Sequence, residues 1–276
     1  MSRIAALAAV VTAVLVSAPA PALAAERVVL AAGHADIGPR VVDGAWRVQV
    51  RDDTTTPPTW RDADDVVVHA PDATRTAVPP GEAYTFLGTP GADVWVLPQI
   101  QRRDVVWLGW NTQDPSVATA IRREMTWRVH RVDGPGAFLL FLTGNFGAPE
   151  VVFDSRKPLP QDSGVEADTH VHGNWVFTAP GTYLLDVEMS ATGQQGQPVS
   201  GRGTLRLFVG AGDPMTAFAA PATGPPASNA GSDAAAPAPA AASDEAAQRP
   251  WVWPVAAVGV LVLAAVAIVR WRRGAR

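Results

Sequence analysis

The 276-residue chain contains no cysteine, which excludes disulfide frameworks, thiol catalysis and cysteine-ligated zinc. Any metal must then be held by His, Asp or Glu. Charged residues are also scarce, at 17% against 47% hydrophobic, so wholesale disorder is excluded. No Arg/Lys cluster interrupts the body. Arg3 and the four arginines after residue 269 are five of the 22 basic residues; the other 17 face all 26 acidic ones, a net charge of −9. That excludes the basic surface nucleic acid requires. Gly-x-Ser-x-Gly, a phosphate loop and His-Glu-x-x-His are all missing, so nothing in the sequence supports an enzyme.

Two uncharged runs sit at the ends. Residues 1–24 open with Arg3, continue through apolar Ile4 to Val16 and reach Ala22-Leu23-Ala24, the small-x-small pattern of a cleavable signal peptide. Trp251 to Val269 is 19 residues without a charge, about long enough at 1.5 Å per residue to cross a bilayer. Arg270, Arg272, Arg273 and Arg276 follow it, which places residues 270–276 in the cytoplasm as an Arg-rich tail and the body outside. Residues 212–250 read as an Ala/Pro-rich stalk, since 22 of the 29 residues from Pro221 to Arg249 are Ala, Pro, Ser or Gly. The expected protein is single-pass in the cell membrane, with its ectodomain at 25–211.

Helical periodicity is almost absent from that ectodomain. Short alternating segments recur instead, among them Trp46 to Arg51, Met125 to His130, Phe138 to Thr143, Tyr183 to Met189 and Thr204 to Val209. Between them stand turn signals such as Asp133-Gly134-Pro135-Gly136 and Ala179-Pro180-Gly181. About ten such strands predict an all-β fold, an antiparallel β-sandwich of immunoglobulin-like or jelly-roll-like type. One sandwich with long loops or two small ones both satisfy the length.

The segment His170 to Thr178 carries the most chemistry. As one strand it puts His170, His172 and Asn174 on one face and Val171, Gly173, Trp175 and Phe177 on the other. Two imidazoles at i and i+2 can converge on one ion, although two histidines on a solvated face would give the same spacing. Gly33 to Gly38 offers His34 and Asp36, again at i and i+2, and Asp168 lies two residues before His170. His34, His170 and His172 with Asp36 or Asp168 would make a nitrogen/oxygen site for Zn²⁺, with Mn²⁺ or Fe²⁺ as alternatives, if the segments are neighbours.

Other features point elsewhere. His69 and His130 read as structural or solvated. Asp62 to Asp65 lacks the glycine and glutamate of a calcium loop. Leu159 to Gly164 lacks the threonine of a sortase signal and lies far from the apolar run. An exposed row among Trp46, Trp60, Trp95, Trp107, Trp110, Trp127 and Trp175 would suit a cell-wall polymer, but most fall on apolar strand faces and read as core.

Several of these segments together resemble a known family. Gly33 to Gly38, Phe86 to Gly91 with Val94 to Gln99, Trp107 to Trp110, Val132 to Gly136 and His170 to Tyr183 are similar to the actinobacterial surface-anchored domain of the choice-of-anchor M type. The similarity spans about Val28 to Val209. It implies anchoring by a C-terminal membrane helix and a role as an accessory of an ABC-type metal importer, with transporter components as partners. The competing expectation is a cell-wall or glycan interaction protein without a metal role.

Overall fold

The computed structural model describes residues 26–144 and 148–221. All of them fall within one of the chain's two units, residues 1–233; the other, 234–276, lies outside the described residues. So do the expected signal peptide at 1–24, the expected membrane helix at 251–269 and most of the expected stalk. Among the described residues no helix is long and apolar enough to cross a membrane.

Among the described residues sixteen strands follow in chain order: β1 (Val28–Leu30), β2 (Gly33–Val42), β3 (Ala45–Asp52), β4 (Thr59–Asp62), β5 (Val66–Ala70), β6 (Arg75–Ala77), β7 (Asp93–Leu97), β8 (Val106–Asn111), β9 (Ile121–Asp133), β10 (Phe138–Thr143), β11 (Pro149–Asp154), β12 (Gln161–Glu166), β13 (His170–His172), β14 (Asn174–Phe177), β15 (Gly181–Gly193) and β16 (Pro198–Val209). They form three sheets, ordered β1-β5-β16-β15-β9-β12, β11-β10-β14-β7-β6 and β13-β8-β2-β3-β4. The fold is all-β, as its alternating segments predict. It is not purely antiparallel: β1 with β5, β5 with β16, and β2 with β8 run parallel. Alternation reports which face of a strand is buried and carries no information about the direction of its neighbour.

One core joins all three sheets. Trp110 of β8, Trp127 of β9 and Trp175 of β14 come from different sheets, with ring centroids 5.4 Å apart for Trp110–Trp127 and 5.9 Å for Trp127–Trp175. Trp46, Trp95, Trp110, Trp127 and Trp175 are all buried, while Trp60 and Trp107 are half-buried, so most of the tryptophans pack the interior. On β2, Ala35 and Ile37 enter the core, which turns His34 and Asp36 to the opposite face of the sheet.

Two boundaries move. Pro214–Ala219 forms a 3-10 turn whose Ala217 and Phe218 pack on Val67 and Phe208, so the body extends past residue 211 and the stalk does not start at 212. The expected strand from His170 to Thr178 is broken at Gly173. A Cβ there would lie 2.8 Å from Leu140 Cδ1, and the chain passes at this point from the sheet holding β13 to the one holding β14. Asn174 consequently turns away from the histidines; its Oδ1 accepts from the Gln99 backbone N–H at 3.0 Å.

Candidate metal centre

The site is built on the outer face of β13, β8 and β2, with β8 in the middle. Pairing register sets it: His34 lies beside Trp107, Gly109 lies between Asp36 and His172, and Asn111 pairs with His170. Trp107, Gly109 and Asn111 alternate on β8 with core residues Val106, Leu108 and Trp110, so all three face the ligands. Gly109 leaves the gap over which the other side chains meet. A Cβ there would stand 2.6 Å from Asp36 Oδ1, 2.7 Å from the Val171 carbonyl and 2.8 Å from His172 Cε1.

His34, Asp36, His170 and His172 bring four donor atoms within 4.8 Å of one another, a group that could hold a metal ion. The three Nε2 atoms are 3.3 Å (His34–His170), 3.1 Å (His34–His172) and 3.0 Å (His170–His172) apart. Asp36 Oδ1 lies 3.0 Å from His170, 3.4 Å from His34 and 3.8 Å from His172. These six edges average roughly 3.3 Å, and the centre of a regular tetrahedron of that edge is about 2.0 Å from each vertex, the length of a Zn–N or Zn–O bond. Asp168, the other carboxylate expected as a ligand, is not in the group. It is exposed, at φ 58° in the turn before β13, where nearness in sequence to His170 does not bring it to the face of β2.

The surroundings hold three of the four residues. His34 Nδ1 bonds Asp53 Oδ2 at 2.8 Å, and Arg51 Nε pairs with the other oxygen of Asp53 at 3.0 Å. Asn111 Nδ2 donates to Asp36 Oδ2 at 3.2 Å. Trp107 stacks on the His172 ring with centroids 3.6 Å apart and planes 10° apart, while its own Nε1 donates to the Gln99 carbonyl at 2.8 Å. Asp36 is fully buried and His172 nearly so; His170 is the most exposed ligand, at 31%. None of these supporting residues is visible as a local motif, although the alternation in Trp107-Leu108-Gly109-Trp110-Asn111 puts two of them, Trp107 and Asn111, on one face with Gly109.

Protonation follows from the packing. The hydrogen bond to Asp36 holds the His34 imidazolium above its ordinary range, against burial, with Asp53 adding to the effect. Burial opposes ionisation of Asp36, but its hydrogen bond with His34 and the charges of His34 and His170 outweigh that and hold the carboxyl below the usual range. Burial pushes His172 down to about 4, so its ring is neutral at ordinary pH. His69 and His130 stand apart, bonded to the Gly210 carbonyl and to Glu188.

No family model, curated protein or solved structure matches this chain.

Proposed function

We propose that this chain is a membrane-anchored extracellular surface protein that binds a transition metal, Zn²⁺ foremost, as a non-enzymatic accessory of an ABC-type metal importer. The tetrahedron of three imidazole nitrogens and one carboxylate oxygen carries the metal reading. Its size suits Zn²⁺, and its donors suit zinc better than Mn²⁺, which favours six oxygen-rich ligands. Four protein ligands fill a tetrahedral ion's positions and leave none open for a reacting water, which favours carriage or storage over catalysis. The surface location rests on the two uncharged end runs, and the importer on the family resemblance.

The test is calorimetric titration of metal-stripped residues 26–221 with Zn²⁺ and Mn²⁺, beside a His170→Ala/His172→Ala double variant. Tight Zn²⁺ binding by the native sequence, lost in the double variant, is the expected result. If the native sequence binds neither ion more tightly than the double variant, there is no such site and the glycan reading replaces it.

A further inference from the structure

We propose that Asp53 is a positioning residue of the metal centre, which holds His34 in the one neutral tautomer able to ligate. The inference rests on the zinc reading above and assigns a role to a residue outside the four-ligand group.

An ionised carboxylate only accepts hydrogen bonds. With Asp53 Oδ2 at 2.8 Å, the His34 Nδ1 must carry the proton, and the neutral ring is left with its lone pair on Nε2. That Nε2 is the atom facing His170, His172 and Asp36. Arg51 Nε lies 3.0 Å from the second oxygen of Asp53, an ion pair without a hydrogen bond of good geometry, so a cation stands on the side of the carboxylate away from His34. A carboxylate behind a ligating histidine orients the ring and raises the basicity of the ligating nitrogen. His172 is held by other means: its Nδ1 is buried without a hydrogen bond of good geometry, and the Trp107 stack fixes the ring.

The arrangement makes an unusual ordering of variants. In Asp53→Asn the amide has one acceptor and one donor end. The Arg51 cation beside that end repels an NH₂ and attracts the amide oxygen, so the oxygen turns to Arg51 and the NH₂ turns to His34 Nδ1. Nδ1 then accepts, the ring proton moves to Nε2, and the ligating lone pair is lost. An isosteric carboxylate-to-amide change behind a histidine acts in the same way in the serine-protease triad, where it installs the wrong tautomer. Asp53→Ala removes the support without enforcing that tautomer.

The experiment measures Zn²⁺ affinity of the native sequence, Asp53→Ala and Asp53→Asn, with long-range ¹⁵N imidazole spectra of each metal-free protein at pH 9 and thermal melts to establish folding. Asp53→Ala should loosen Zn²⁺ by about 10- to 100-fold. Asp53→Asn should bind more weakly still, with His34 changed from the Nδ1–H to the Nε2–H form. A role in packing alone would make the isosteric amide the milder change. Amide binding as tight as or tighter than that of Asp53→Ala, or an unchanged His34 tautomer in the amide variant, overturns the proposal and leaves the metal site standing. Absence of Zn²⁺ binding by the native sequence overturns both.

Discussion

Gly109→Ala is the smallest change that should abolish metal binding at the proposed centre while sparing the fold. The added Cβ would lie 2.6 Å from Asp36 Oδ1 and 2.8 Å from His172 Cε1, where ordinary contact begins at 3.4 Å. Two of the four ligands must therefore shift by about 0.6–0.8 Å, several times the roughly 0.2 Å tolerance of a metal–ligand distance. Escape toward β13 is blocked, because the Val171 carbonyl is 2.7 Å from the same Cβ. Losing one supporting contact costs 10- to 100-fold in metal affinity, so displacing two direct ligands should cost at least about 100-fold. Overpacking itself should destabilise the body by about 1–3 kcal/mol. The core lies on the other face of β8, where Val106, Leu108 and Trp110 are untouched, so a cooperative melt should persist. Competition against a chromophoric chelator gives the affinity, and circular dichroism gives the melt. A folded Gly109→Ala protein that binds Zn²⁺ within threefold of the native sequence would refute the geometry.

Three further outcomes are expected. Because the hydrogen bond to Asp36 raises the His34 pKa, an entering ion must displace a proton below that value; Zn²⁺ affinity should fall about tenfold per pH unit, beginning above 6.5. His172, held down to about 4 by burial, should add no competition until near that pH, and a flat affinity between pH 8 and 6 would contradict the assignment. Zn²⁺ at a hundred times its Kd should stabilise the fold by about 2.7 kcal/mol, seen as a rise in Tm that the His170→Ala/His172→Ala protein lacks. A chain ending at residue 211 loses Phe218 and Ala217 from Val67 and Phe208. It also strips the buried Arg206 of the Ala217 and Ala220 carbonyls, so it should melt about 5–15 °C below one ending at 221, and equal melting would refute the packing role.

What the sequence made legible was local, and what it hid was long-range. Met125 to His130 shows Trp127 inward and Arg128 outward, as found in β9, because alternation is a property of one strand. His170 and His172 share a face for the same reason. β2 is not among the expected strands, because Gly33, Gly38 and Pro39 interrupt the alternation of side chains although the strand runs through them to Val42. The choice between Asp36 and Asp168 depended on which strand lies beside β8, and no single segment encodes that neighbour. Asp53 was still less visible: one acidic residue after a strand acquires its role only when His34, on the paired strand, is turned toward it.

A polar cluster of this shape is poorly explained by hydrogen bonding among its own members. Each bond needs one N–H and one lone pair, and the three Nε2 atoms form a triangle with every side at 3.0–3.3 Å. A neutral ring has one proton, and Asp53 engages the proton of His34 at Nδ1. Any placement of protons on the remaining corners leaves either two lone pairs or two N–H groups facing across one side. Adding a proton to His34 supplies a donor, yet that donor has two nitrogens and Asp36 Oδ1 to serve at once. A dication at the centre satisfies all four atoms together, without a proton on any of them. Burial of Asp36 sharpens the comparison, because a buried anion is tolerated only where compensating charge is close. The metal-free protein draws that charge from His34, whose proton is held above its ordinary range, and the ion would take over the same task with twice the charge.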